Sequence, residues 1–483
     1  MKPLFITPHR RRACPIARRP GPYVISLIAA SLGGCASFSP DAGFSSVEAA
    51  AKERLGKEVR WARGDADADS IDRRVTELLA KPLSVDDAVQ VALLNNRGLQ
   101  ARFQDLGITE AEFVQAGRLP NPGFTFSKLK QGNQVERERG LHLNLARLLA
   151  LPMISRLEAR RFEQVKGAVA MDMLFLAADT RKAYFSALAA DEIGRYMQQV
   201  MQAAEASAEL ARRMEQAGNF NKLARAREQS FYADAALGHA RAQQLQRASR
   251  ERLIRLLGAW GQQTLFTLPQ RLPELPAEPA DQPDIESLAM RQRLDVQGAR
   301  LAVEQTARNL GLTRVTRFVN VLELGLVRNS FNDAPRQTGW ELSLEVPLFD
   351  WGDARVARAE AIYMQSVHAA AHTAVNARSE VREAYANYRS AFDIARHHRD
   401  EIVLLRKRIA EEQLLRYNGM LIGVFELLAD ARAQIGSVTA FIETLRDFWL
   451  AKSDLDMALV GRAAISPPPG PGIPALEAGG VPH

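Results

Sequence analysis

Gly218-Asn219-Phe220-Asn221-Lys222-Leu223-Ala224-Arg225-Ala226-Arg227-Glu228-Gln229 and Gly423-Val424-Phe425-Glu426-Leu427-Leu428-Ala429-Asp430-Ala431-Arg432-Ala433-Gln434 are two versions of one phrase. Gly, Phe, Leu, Ala, Ala, Arg and Gln recur in register at an offset of 205, the difference between 423 and 218. An internal repeat fixes architecture before any single motif does, and a period this long makes each copy a large unit. Shorter echoes support a duplication. Arg181-Lys182-Ala183-Tyr184 parallels Arg382-Glu383-Ala384-Tyr385, and Leu99-Gln100 parallels Val296-Gln297. The drifting offsets imply small insertions between equivalent elements.

Prolines mark out the elements. None falls between Pro152 and Pro269 or between Pro347 and Pro467, and both gaps are rich in Ala, Leu, Arg, Glu and Gln. That composition predicts long helices. Each gap holds one repeat glycine, Gly218 or Gly423, read as the left-handed residue of a tight reversal between two helices. Ile193, Met197, Val200, Ala204, Ser207, Ala211 and Met214 step by fours and threes, as do Leu428, Ala431, Ile435, Val438, Ile442, Leu445 and Trp449. This spacing fits a coiled-coil seam and equally an antiparallel bundle core. Between the gaps, Phe124–Ser127, Leu141–Leu145 and Trp340–Val346 alternate apolar and polar, and Val319–Val327 is apolar-rich and partly alternating, which predicts four strands, each alternating one having one apolar face. Four strands cannot close a barrel alone. They fit either a barrel shared between copies or a small soluble sheet on helices.

The chain starts with a basic run, Arg10, Arg11, Arg12, Arg18 and Arg19, then an apolar stretch from Tyr23 to Leu32 and Leu32-Gly33-Gly34-Cys35-Ala36. A basic region followed by a short apolar segment predicts an export signal, too short to span a bilayer permanently. Leu, two small residues and Cys resemble a lipobox, which makes Cys35 a lipidation candidate beside the alternative of an incidental cysteine. Ala36 after it resembles an outer-membrane-sorted lipoprotein. Removing residues 1–34 takes away six cations and no acid, reducing a net charge of +7 to +1. The basic balance therefore gives no support to nucleic-acid binding. With Cys14 in the signal and Cys35 the lipid carrier, no disulfide is expected.

The ordered set of features resembles the TolC-type outer-membrane efflux proteins. Leu83-Ser84-Val85-Asp86-Asp87-Ala88 to Asn95-Asn96 resembles that family's opening helix, with Arg97 where proline is usual. Val346-Pro347-Leu348-Phe349-Asp350-Trp351-Gly352 resembles its strand-to-helix corner, and Tyr417 to Arg432 its second hairpin tip. In the first half, Leu145 to Pro152 departs from the corner pattern. The resemblance implies a mainly α fold with a small β part: duplicated long coiled-coil hairpins plus four membrane strands per protomer, in a trimeric channel. The organisation is read as signal peptide 1–34, lipid-anchored segment 35–82 (a tether with one amphipathic stretch), first repeat 83–280, second repeat 281–463 and a Pro/Gly-rich disordered tail 464–483.

No phosphate-binding Gly-Lys-Ser/Thr loop, Gly-x-Ser-x-Gly elbow or His-Glu-x-x-His is present, so no catalytic, cofactor or metal residue is assigned. His368 and His372 read as a solvated helix face, and His142 as a residue of a lumen or a satisfied polar site. The resemblance implies a passive outer-membrane exit duct of a tripartite efflux system. Its partners would be outer-membrane lipid, two further copies, a periplasmic adaptor and an inner-membrane pump of the resistance–nodulation–division type. The resemblance leaves the cargo open among metal cations, drugs and other small molecules, with the tip resembling members found with heavy-metal export. Glu426 falls where acidic residues ring the entrance, Asp430 extends the ring, and Tyr417 bridges hairpins; ordinary solvated acids and a packed aromatic are the alternatives. Asn221 is read opposite Glu426, making any ring threefold. Gly218, Gly423, Met420, Leu421 and Ile422 form adaptor-facing tips. The competing reading is a lipid-anchored periplasmic coiled-coil scaffold that never spans the membrane. An enzyme is disfavoured by the missing chemistry.

Overall fold

The computed structural model describes residues 37–316, 322–344 and 349–462. The expected signal segment 1–34, Cys35, Val346 to Leu348 of the corner motif and the expected tail at 464–483 lie outside the described residues. The chain forms two compact units. One is built around a β-sheet from Glu112–Ser155 and Val321–Leu344; the other is helical and takes in Ser39–Ala111, Arg156–Asn320 and the chain beyond Glu345.

In the sheet unit, β1 (Gly123–Gln131), β2 (Gln134–Asn144), β3 (Leu322–Phe331) and β4 (Gln337–Leu344) pair antiparallel in chain order. The strands are 9, 11, 10 and 8 residues long, longer in β1 and β2 than the apolar alternation alone predicts. β1 and β4 each keep one unpaired edge.

The helical unit begins with α1 (Phe44–Leu55) and α2 (Asp65–Leu79). The segment expected to be a tether with one amphipathic stretch thus holds two helices. They bury Phe44, Val47 and Ala51, and Ile71, Val75 and Leu78. α3 (Val85–Asn95) and α4 (Arg97–Ala116) follow, with Ser84 capping α3 by accepting from the Asp87 amide at 3.1 Å. In the second half α7 (Ile285–Gln292) and α8 (Leu294–Thr316) take their place.

The long helices are α5 (Leu145–Gln216), α6 (Lys222–Leu257), α9 (Asp353–His397), α10 (Val403–Asn418) and α11 (Val424–Val460). A π-helical turn, His398–Ile402, carries α9 into α10 without a break. α6 and α11 are each about 55 Å long at 1.5 Å per residue. α5 starts directly after β2 and runs through Pro152, the residue expected to bound the first long helical gap. The Asn144 side chain accepts from the Arg147 amide at 2.7 Å and starts the helix early. Pro152 then removes one backbone donor inside the helix. Of the expected seam, Ile193, Met197, Val200, Ala204 and Ala211 are buried, with Ser207 and Met214 half-buried. Of the expected α11 seam residues whose side chains are described, Ile442 and Leu445 are buried, Ile435, Val438 and Trp449 are half-buried and Ala431 is exposed.

One aromatic cluster joins three long helices. Phe185 of α5 stacks on Trp449 of α11 at 5.2 Å, while Phe448 of α11 meets Tyr388 and Phe392 of α9. The duplication also shows where short helices meet long ones. At the α3–α4 junction, Asn95 donates to the Leu257 and Gly258 carbonyls and Asn96 to the Leu256 carbonyl, satisfying the end of α6. At the equivalent α7–α8 junction, buried Arg293 donates to the Ala458 carbonyl near the end of α11 and is held by Asp295 and Glu380, both at 2.7 Å. Helix C-termini leave unsatisfied carbonyls, and the halves meet this need with different side chains.

Candidate functional site: the sheet faces and the helical turns

Strand register sorts the sheet residues onto two faces, because successive side chains alternate. Phe124 pairs with Leu141, Leu141 with Leu326, and Leu326 with Trp340. Leu143, Leu324 and Leu342 form the next rung on one side, Phe126, Arg139, Arg328 and Thr338 the next on the other. This face is exposed over most of its area: Phe124 and Trp340 are both 70% accessible. Towards the two hairpin turns the same face becomes basic through Lys128, Lys130, Arg137, Arg139 and Arg328.

The opposite face is polar and acidic. Glu136 and Glu138 of β2, Glu323 of β3 and Glu341 of β4 project from it, with Thr125, Ser127, Asn144, Asn329 and Ser343. Leu129, Val327 and Phe331 interrupt it. Glu136, Glu138 and Glu323 are half-buried. His142 lies here too, its ring occupying the space that side chains at Gly140 and Gly325 would fill. The charge signs thus segregate across the backbone, basic on the apolar side and acidic on the polar side.

In the helical unit, the two reversals share one hydrogen-bond pattern. The Gly218 amide donates to Glu215 and the Asn219 amide to Met214; the Met420 amide donates to Tyr417 and the Leu421 amide to Arg416. Both are Schellman caps with one left-handed residue. That residue is Gly218 in the first (φ 80°) but Met420 in the second (φ 58°). Gly423, expected in the left-handed role, has φ −79° and caps the start of α11, as Asn221 caps α6. The turns therefore correspond at an offset of 202 (420 less 218), not 205. Three residues are nearly one helical turn, so the slipped alignment still matches like faces. Asn221 consequently stands opposite Gly423, not Glu426, whose counterpart is Ala224.

Met420 and Leu421 are 92% and 77% exposed, and Ile422 is half-buried. Glu426 lies exposed in the first turn of α11 and Asp430 one turn on, half-buried. Neither carboxylate has a partner among the described residues. Tyr417 is exposed, and its phenol makes no bridge between hairpins there. Sequence reading missed the pair that does join α6 to α11. Arg432 donates to buried Glu228 at 3.1 Å and covers the Phe231 ring at 4.1 Å, and Ser207 of α5 donates to the same carboxylate at 2.9 Å. The signal was present, since both residues sit inside the repeated phrase.

Among the described residues no group of three His, Cys, Asp or Glu side chains is gathered as a metal site, and no helix is long and apolar enough to cross a membrane. A groove of about 790 Å³ between α5, α6, α9 and α11 is lined by residues such as Ser186, Leu245, Asn387 and Leu450, without histidine or cysteine.

The architecture is that of outer-membrane channel proteins. The Campylobacter jejuni CmeC outer membrane channel superposes with a TM-score of 0.67 at 16% identity, covering 83% of this chain and 89% of that one. CusC, solved in a study of folding and transmembrane channel formation, gives 0.65 at 18%, covering 78% and 92%. The open Neisseria gonorrhoeae MtrE outer membrane channel gives 0.65 at 19%, covering 78% and 89%. No family model and no curated protein matches the sequence. At these identities the likeness establishes the fold.

Proposed function

We propose that this chain is the outer-membrane exit duct of a tripartite efflux system, a passive channel completed by three copies. The single observation carrying this reading is the two-faced sheet with open edges on a channel fold. Phe124, Leu326 and Trp340 displayed to water are a large penalty; displayed to hydrocarbon they are the ordinary outer surface of a barrel. Free edges at β1 and β4 are intolerable in a bilayer unless a neighbouring strand closes them. Strands of 8 to 11 residues suit the roughly 9–11 residues of a membrane strand.

On this reading the acidic face lines the conduit and favours cations, which suits metal cations among the candidate cargoes. Glu426 and Asp430 gate the helical entrance, and the exposed Met420–Leu421 tip with Ile422 docks a periplasmic adaptor that links to an energised inner-membrane pump. Lipid on Cys35 anchors the mature chain. The rival scaffold reading leaves the apolar face without a partner. The test is assembly and conductance: detergent-extracted, heat-resistant trimers should open ion-conducting pores in planar bilayers. A monodisperse single copy, soluble without detergent and silent in bilayers, overturns the proposal.

A further inference from the structure

We infer that the basic end of the exposed sheet face is a binding site for the phosphate groups of an anionic membrane lipid. The inference rests on the membrane-spanning reading above and adds a specific ligand to it. Arg139 and Arg328 are direct cross-strand partners, and so are Lys128 and Arg137. Like charges directly opposite each other destabilise a sheet. The cost is not relieved locally. None of the four, nor Lys130 beside them, forms a salt bridge or side-chain hydrogen bond among the described residues, and all five are exposed. The sheet's acids cannot serve, because Glu136, Glu138, Glu323 and Glu341 project from the other side of the backbone. Five cations gathered against mutual repulsion call for an external anion.

The neighbouring rung identifies the anion's chemistry. Two residues along from Arg139 and Arg328, about 7 Å, lie Leu141 and Leu326, flanked by Phe124 and Trp340. Apolar and basic zones are continuous on one face. A nucleic acid or acidic protein would leave the apolar zone uncovered. A phosphorylated lipid covers both, its acyl chains along the apolar rungs and its phosphates among the guanidinium and ammonium groups. Arginine matches phosphate in a two-point geometry, and long basic side chains reach the headgroup level from strands sunk in hydrocarbon. The turns at Gly132 and Asn332–Arg336 place this zone at the sheet's hairpin end, where a leaflet surface falls in a spanning barrel.

The full-length channel is reconstituted into phosphatidylcholine vesicles carrying lipid A with its phosphate groups or the same lipid dephosphorylated. Lipid retained after detergent extraction and affinity capture is then counted by mass spectrometry. The wild type should retain the phosphorylated form selectively, and rising salt should erase that selectivity. Arg139→Gln with Arg328→Gln should lower retention on the order of tenfold, and Lys128→Gln with Arg137→Gln should do likewise. Glu136→Gln with Glu138→Gln, on the other face, should leave it unchanged. Equal retention of both lipid forms by a channel that floats with the vesicles overturns this inference alone. Failure to float with either composition overturns the membrane-spanning reading with it. Heat-resistant assembly of each variant confirms that a loss of lipid is not a loss of fold.

Discussion

Met420 occupies in the second reversal the position that Gly218 occupies in the first, the left-handed residue of a Schellman cap, at φ 58° against 80°. A residue with a Cβ is strained there by roughly 1–2 kcal/mol. Met420 is almost fully exposed, so its side chain recovers little by packing. Met420→Gly should therefore stabilise the α10–α11 turn by about 1 kcal/mol, read as about fivefold slower hydrogen exchange at the turn amides. Gly218→Ala should cost about the same in the first turn, since open space surrounds Gly218 and only backbone strain is introduced.

The Glu228–Arg432 contact ties the two long hairpins across more than two hundred residues of sequence. Glu228 is only 2% exposed, while Arg432 is partly open to water. Removing the guanidinium strands a buried carboxylate, so Arg432→Ala should destabilise the helical unit by about 2–3 kcal/mol. Glu228→Gln/Arg432→Met should recover part of that loss, because no buried charge is then left unpaired. Thermal unfolding of the detergent-solubilised protein, compared around the double-mutant cycle, measures the coupling. Additive losses would mean that the contact contributes no coupling.

These two cases show what was legible in the sequence and what was not. Long helices, four strands and the duplication follow from local signals: proline spacing, period and repetition. The left-handed residue escaped because Gly423 looks like a turn glycine, while the residue that bends is a methionine three positions earlier. The first parts of β2 escaped for another reason. Glu136-Arg137-Glu138-Arg139 alternates in charge sign, not in hydropathy, so a hydrophobic period passes over it. Read as alternating charge, the same four residues separate the sheet's two faces. Arg432 and Glu228 were each visible in the repeat, but nothing local says that residues so far apart in sequence meet.

Glu443 gives a pH dependence of defined sign. Burial in α11 pushes its carboxyl above the ordinary glutamate range; Arg446 offsets this and Asp447 reinforces it. The folded chain therefore holds a proton that the unfolded chain releases between the ordinary value and the raised one. Stability from this group is greatest below that window and falls as pH rises through it. Glu443→Gln should match the wild type near about pH 4 and exceed it near about pH 8 in thermal unfolding. A stability difference that does not vary with pH would rule out this carboxyl as its source.

The segregation of charge across the sheet gives the sharpest functional expectation. If the acidic face lines the conduit, Glu136, Glu138, Glu323 and Glu341 repeat around the lumen in every copy and set its potential. Glu138→Gln with Glu341→Gln should lower cation-over-anion permeability by roughly half, seen as a reversal potential moving towards zero in a salt gradient while pores still form. Arg139→Gln with Arg328→Gln, on the outward face, should leave the reversal potential where it was. If Glu426 gates the entrance as proposed, Glu426→Ala should alter leak or selectivity independently of the sheet. If the arginine pair moves the reversal potential and the glutamate pair does not, the faces are assigned the wrong way round, and the basic side lines the pore.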